Sequence, residues 1–156
     1  MDYGADINII NCTPLKLANS NNHIGTVEYL LENGANLIDC INSLVDTNIE
    51  KNNIDMVRIY SRYFSNFAEI INKNLFIYSS IFCKKLDMLK LFVEYGGCLN
   101  YPLYFITAII SEDTEILKFL VNNGALIPYD DVKKLRKDLL DKEILDILYE
   151  LNLIHD

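Results

Sequence analysis

Val27-Glu28-Tyr29-Leu30-Leu31-Glu32-Asn33-Gly34-Ala35-Asn36 is a short amphipathic stretch that ends in glycine, and the chain writes it more than once. Leu89-Lys90-Leu91-Phe92-Val93-Glu94-Tyr95-Gly96-Gly97-Cys98 follows the same pattern, as does Leu117-Lys118-Phe119-Leu120-Val121-Asn122-Asn123-Gly124-Ala125-Leu126. A blurred copy starts at Val57 and a last one at Leu145. Aligned on Gly4, Gly34, Phe64, Gly96, Gly124 and Asn152, the copies lie 28 to 32 residues apart. A period of that size marks one supersecondary unit stacked on its neighbours. The expected units are about 5–34, 35–64, 65–96, 97–124 and a polar closing unit 125–156.

Each unit reads as two short helices. The second carries an apolar stripe at helical spacing, such as Ile54, Val57, Ile59 and Tyr60. It is announced by a side-chain oxygen able to cap free amides, at Asn53, Asp113 and Asp141. It stops at Gly34, Gly96 or Gly124, where a left-handed residue is needed and glycine adopts it without strain. In the first unit the first helix opens with Thr13-Pro14, a cap followed by a ring that pre-sets the helical dihedral; Ser43 with Asp46 repeats the capping logic. Ala18, Ser80 and Ala108 occupy one equivalent position, which lets neighbouring helices approach closely, and Asn48 is the departure. No unit can bury its apolar stripe alone, so stability has to come from stacking.

Composition narrows the function classes. The 156 residues are 51% hydrophobic and 23% charged, enough for one packed core. Acidic side chains outnumber basic ones by 22 to 14, and the formal charge of -8 repels a phosphate backbone, so nucleic acid is not an expected partner. The longest nearly apolar run, residues 101–110, is about half of a bilayer crossing, and the first residues lack the build of a secretion signal. A soluble, intracellular chain without a membrane partner is the expectation. Cys12, Cys40, Cys83 and Cys98 show no metal-binding or dithiol spacing and read as reduced, packed thiols. Asn11-Cys12-Thr13 matches a glycosylation acceptor, which has no meaning without secretion.

Gly4-Ala5-Asp6-Ile7-Asn8, Thr13-Pro14-Leu15-Lys16-Leu17-Ala18, His23 before Ile24, and Leu30-Leu31-Glu32-Asn33-Gly34-Ala35-Asn36 together resemble the ankyrin repeat. The abbreviated units and the composition also resemble the ankyrin proteins of giant DNA viruses (mimivirus-like). The resemblance implies an all-α, ankyrin-type helix-turn-helix repeat solenoid of about five units. It departs from the family in three ways. The nine positions between Gly4 and Thr13 leave room only for stub fingers with little or no β-strand. Lys16 stands where the family usually has a histidine. Met1-Asp2-Tyr3 supply only the end of a helix, so an N-terminal cap is expected to be missing or the chain to be part of something longer.

The resemblance also implies a non-enzymatic module that binds a protein partner, such as a host protein, through the concave face of the stack. It brings no cofactor and no catalytic residues. On that face, two positions one turn apart read unit by unit as Lys16 and Ser20, Asp46 and Glu50, Tyr78 and Phe82, Ile106 and Ile110, Lys134 and Asp138. An apolar middle between polar ends makes Tyr78, Phe82, Ile106 and Ile110 the candidate contact, because exposed apolar patches mark binding surfaces. The competing reading is that a rotated helix turns these residues into the core. The competing function is a structural segment of a longer ankyrin protein with no binding of its own.

Other features read plainly. His23 at a helix start and His155 in the tail do not form an acid-base or metal site. Asp130-Asp131 oppose the positive end of the last unit's first helix, and Lys133-Lys134 with Arg136-Lys137 form a solvated face. No phosphate loop or activated nucleophile is present, which disfavours an enzyme. The host cytoplasm is the expected location.

Overall fold

A computed structural model describes residue 4, residues 6–135 and residues 137–155. Among these residues the chain is helical, with no strand. The order is α1 (Ile9–Ser20), α2 (Ile24–Glu32), α3 (Ile41–Lys51), α4 (Ile54–Ser61), α5 (Phe67–Lys73), α6 (Phe76–Phe82), α7 (Leu86–Glu94), α8 (Pro102–Ile110), α9 (Thr114–Asn122), α10 (Tyr129–Val132), a 3-10 turn (Lys137–Leu139) and α11 (Lys142–Glu150). These helices pair as α1/α2, α3/α4, α6/α7 and α8/α9, and α11 packs on α9. This is the all-α, ankyrin-type repeat architecture. The helix end expected at residues 1–3 lies outside the described residues.

Two turns recur along the chain, the first in all four pairs and the second after every second helix except α4. Between the helices, Asn22, Asn52, Lys84 and Glu112 are left-handed, with φ between 52 and 55°. The amide of the following residue reaches back to the carbonyl of Ala18, Asn48, Ser80 or Ala108. After the second helix, Gly34, Gly96 and Gly124 have φ of 90, 86 and 70°, and Asn152 has 53°. There the next amide bonds the carbonyl of Leu30, Phe92, Leu120 or Leu148. Both are left-handed C-cap turns that satisfy carbonyls a helix end would otherwise orphan. The expected caps also form: Asn53, Asp113 and Asp141 accept from the amides of Met56, Ile116 and Glu143.

The described residues fall into two compact units, 1–67 and 68–156, the division lying at the start of α5. In the first, Leu15, Val27, Leu44, Val45, Ile49, Met56, Val57 and Tyr60 are buried. Asn48, the departure from the small-residue position, is buried too. Its amide donates to Asn19 Oδ1 and to the Leu44 carbonyl, both at 2.7 Å, and Tyr60 donates to the same Asn19 oxygen at 2.6 Å. A polar network therefore replaces close apolar contact at this position. In the second unit, Phe76 stacks on Phe92 with ring centroids 5.7 Å apart. Ile77, Ile81, Leu89, Phe105, Ile116 and Leu120 complete that core, each fully buried large side chain contributing about 2 kcal/mol.

Several local expectations are corrected. Thr13 does not cap amides: its hydroxyl donates to the Ile10 carbonyl at 2.7 Å. Ser43 does the same at the equivalent place, donating to the Cys40 carbonyl at 3.0 Å, and α3 starts two residues before it. Residues Ile10, Asn11 and Cys12 are left-handed, so the regular right-handed part of α1 begins only at Thr13. The stub finger expected before the third unit contains α5. Phe64 stands where the other units have glycine, and instead of a left-handed stop it stacks on Phe67 at 5.7 Å. The closing unit's first helix shrinks to the four residues of α10 plus the 3-10 turn. Lys134 and Asp138 consequently do not share a helix face. Of the basic run, Arg136 lies outside the described residues, and Lys137 is not simply solvated: it donates to the His155 carbonyl and lies 5.6 Å from the Tyr149 ring centre.

Candidate protein-binding surface

The second unit presents the candidate residues on α6 and α8, which pack side by side. Phe76, Ile77, Ser80 and Ile81 turn one side of α6 into the core, which leaves Tyr78 and Phe82 on the other. Tyr104, Phe105, Ala108 and Ile109 do the same for α8 and leave Ile106 and Ile110. Phe82 is 65% exposed and Ile110 68% exposed; Tyr78 and Ile106 are half-buried. Tyr78 and Phe82 stack with centroids 6.1 Å apart and planes at 20°. Each pair thus has one rooted and one projecting member.

Two shallow grooves border this face. One, of about 200 Å³, has Leu75 and Tyr78 together with Tyr101, Leu103 and Tyr104 in its wall, beside Asn72, Lys73 and Asn74. Tyr101 and Tyr104 meet there at 5.4 Å with rings tilted by 58°. Burial, followed by the neighbouring Tyr101 and Cys98, pushes the Tyr104 phenol up to about 12, so it stays a neutral hydrogen-bonding group. The other groove, of about 240 Å³, joins Ile109 and Ile110 to Glu112, Leu135, Leu139 and Leu140. Tyr78 and Ile110 therefore belong to different grooves, and neither groove contains Phe82 or Ile106.

Leu75 and Leu103, both strongly exposed, enlarge the apolar face and are not among the residues chosen from the sequence. They occupy the position held by Thr13 and Ser43 in the earlier pairs. A leucine in place of a hydroxyl at that register is the signal that could have found them. The flanking positions of the first unit are polar, as read. Ser20, Asp46 and Glu50 are exposed and Lys16 is half-buried. Although the residue as a whole is exposed, the Asp46 carboxyl is partly shielded from water, which holds it above its ordinary value, and Glu50 one turn on adds to the rise. His23 precedes α2 without making a cap bond, and among the described residues no cluster of histidine, cysteine or carboxylate could hold a metal. Among the same residues no helix is long and apolar enough to cross a membrane.

A solvent-facing apolar strip on repeated helix pairs, without a reactive constellation beside it among the described residues, is the surface of a repeat scaffold. The family model for the ankyrin repeat matches residues 10–43. Ankyrin repeat protein R599 of Acanthamoeba polyphaga mimivirus is 32% identical over 128 residues, 80% of this chain and 34% of the relative. Ankyrin repeat protein R598 of the same virus is 26% identical over 151 residues, 95% of this chain and 47% of the relative. Residues 10–43 thus match an ankyrin repeat, and the chain is similar to these viral ankyrin repeat proteins, spanning less than half the length of each. No solved structure is a significant match.

Proposed function

We propose that the chain is a non-enzymatic module that docks one protein partner on the face formed by α6 and α8, the side that ankyrin stacks make concave. Tyr78, Phe82, Ile106 and Ile110 are the central contact, extended by Leu75 and Leu103. Ankyrin repeats are in general protein–protein interaction modules, and that carries the class of function. The observation that carries the location is the projection of Phe82 and Ile110, 65% and 68% exposed, from neighbouring helices. Aromatic and aliphatic side chains offered this way supply the apolar centre of an interface, and burial of each is worth about 2 kcal/mol. The formal charge of -8 disfavours nucleic acid. The partner is a protein of the host cell, met in its cytoplasm.

A second reading is favoured by length, because the chain spans 34% and 47% of the two viral relatives. In it these helix pairs are a structural segment of a longer ankyrin protein and bind nothing themselves. Immobilised wild-type chain and a Phe82→Asp/Ile110→Asp chain, exposed to amoebal lysate and compared by quantitative mass spectrometry, separate the two. A protein retained by the wild type and lost from the variant supports docking on this face. Retention of no protein by either chain above a blank support favours the segment reading, and equal retention by both places the contact on another face.

A further inference from the structure

Cys12 and Cys40 lie in successive helix pairs, 3% and 2% exposed, and their sulfurs converge on one acceptor. Cys12 Sγ is 3.2 Å from the Asn36 carbonyl oxygen and Cys40 Sγ is 3.3 Å from the same atom. That carbonyl is held in place from both sides. The Asn36 amide donates to Asn8 Oδ1 at 2.7 Å, and the Asn36 side chain bonds Asp39. The two sulfurs thus share one carbonyl oxygen. Burial pushes Cys40 up to about 12, and hydrogen bonding and charge from the Cys12 thiol add to the rise. Cys12 closes a run of three left-handed residues, with φ of 48, 54 and 61°, none of them glycine. For the β-branched Ile10 that conformation is costly. The segment carrying Cys12 is therefore strained and opens locally at reduced cost.

We propose that Cys12 and Cys40 are a reversible disulfide site that staples the first helix pair to the second, with a small disulfide of the glutathione type as oxidant. The first attack falls to Cys12, because the strained left-handed segment that carries it is the part that opens to the reagent. The Cys12 thiolate attacks one sulfur of the oxidised glutathione; that S–S bond breaks, and one glutathione leaves and takes up a proton. A mixed disulfide remains on Cys12. Cys40, giving up its proton, attacks Cys12 Sγ and expels the second glutathione, which takes up that proton. Two protein thiols are oxidised and one glutathione disulfide is reduced to two thiols. The product no longer donates to the Asn36 carbonyl and covalently fixes the start of α1 to the start of α3. A glutathione-type thiol reverses the reaction.

The test takes the full chain through buffers of increasing oxidised-to-reduced glutathione ratio, blocks free thiols with an alkylating reagent and maps peptides without reduction. The expected product links Cys12 to Cys40 and leaves Cys83 and Cys98 alkylated. Its thermal midpoint lies about 5–10 °C above that of the reduced chain. The rise disappears with dithiothreitol and is absent from Cys12→Ser and Cys40→Ser, whereas Cys83→Ser/Cys98→Ser retains it. Refolding from denaturant in the same buffers removes burial as an obstacle. Four alkylated cysteines, glutathione stranded on Cys12, or another pairing as the main product of that refolding each overturn the proposal.

Discussion

Asn72 holds the backbone at Cys98 with both ends of its side-chain amide: Oδ1 accepts from the Cys98 amide at 2.7 Å, and Nδ2 donates to the Gly96 carbonyl at 3.1 Å. Asn8 makes the same clasp in the other unit, accepting from the Asn36 amide at 2.7 Å and donating to the Gly34 carbonyl at 3.3 Å. Fingers this short have no paired strands among the described residues. One asparagine supplies the donor and the acceptor that a strand neighbour would have offered.

Replacing Asn72 with alanine should therefore cost more than a surface substitution. Two hydrogen bonds vanish and the Cys98 amide, on a half-buried residue, loses its partner. A destabilisation of about 1–3 kcal/mol is expected. Urea unfolding followed by circular dichroism measures it; a midpoint equal to that of the wild type would show that the clasp is incidental.

Gly97 occupies the position where two other units have alanine, Ala35 and Ala125. Restoring alanine there should destabilise the protein. A Cβ on Gly97 would stand 2.7 Å from the Phe92 carbonyl oxygen and 2.8 Å from Ile77 Cδ1, so the backbone has to shift. The expected loss for Gly97→Ala is about 1–3 kcal/mol. Thermal unfolding checks it, and a gain in stability would contradict this packing.

Asp46 gives a pH dependence of definite sign. Its carboxyl is held above the ordinary value of 3.8 by burial and by Glu50, so the folded chain binds its proton more tightly than the unfolded chain. Its contribution to stability is fully present below that ordinary value and is lost as pH rises through the folded one. Asp46→Asn should accordingly raise stability at neutral pH, and the gain over the wild type should shrink to nothing as the pH is taken below 3.8. Denaturation midpoints of both chains across that range test this; a variant less stable at neutral pH would reverse the sign.

Most of the repeat is legible because its ends are chemical. Gly34, Gly96 and Gly124 mark left-handed stops, and Asn53, Asp113 and Asp141 mark capped starts, so both ends of a helix can be read locally. Where the marker is missing, local reading fails. Phe64 replaces the stop glycine, and α5 follows it in a stretch that reads as a stub finger. Thr13 and Ser43 carry capping chemistry yet donate backwards to carbonyls, a choice set by the backbone entering the helix. The asparagine clasps join residues 24 to 28 positions apart and leave no short-range pattern.

The candidate surface is half legible for a related reason. Helical spacing puts Tyr78 with Phe82 and Ile106 with Ile110 on common faces, but spacing alone does not say which face turns inward. That is decided by how Phe76, Ile77 and Ile81, or Phe105 and Ile109, pack against the neighbouring helices. Leu75 and Leu103 are missed because their register reads as a capping position, so their apolar character carries no weight until their exposure is known.

The central claim is tested most directly by measuring fold and binding on one protein, the Phe82→Asp/Ile110→Asp chain, against a purified partner. With both side chains outside the core, the far-ultraviolet helical signal and the unfolding midpoint should stay close to those of the wild type while affinity falls at least about tenfold, the equivalent of 1.4 kcal/mol. Loss of the helical signal would place these residues in the core, and undiminished affinity in a folded variant would place the contact elsewhere; either result contradicts the assignment.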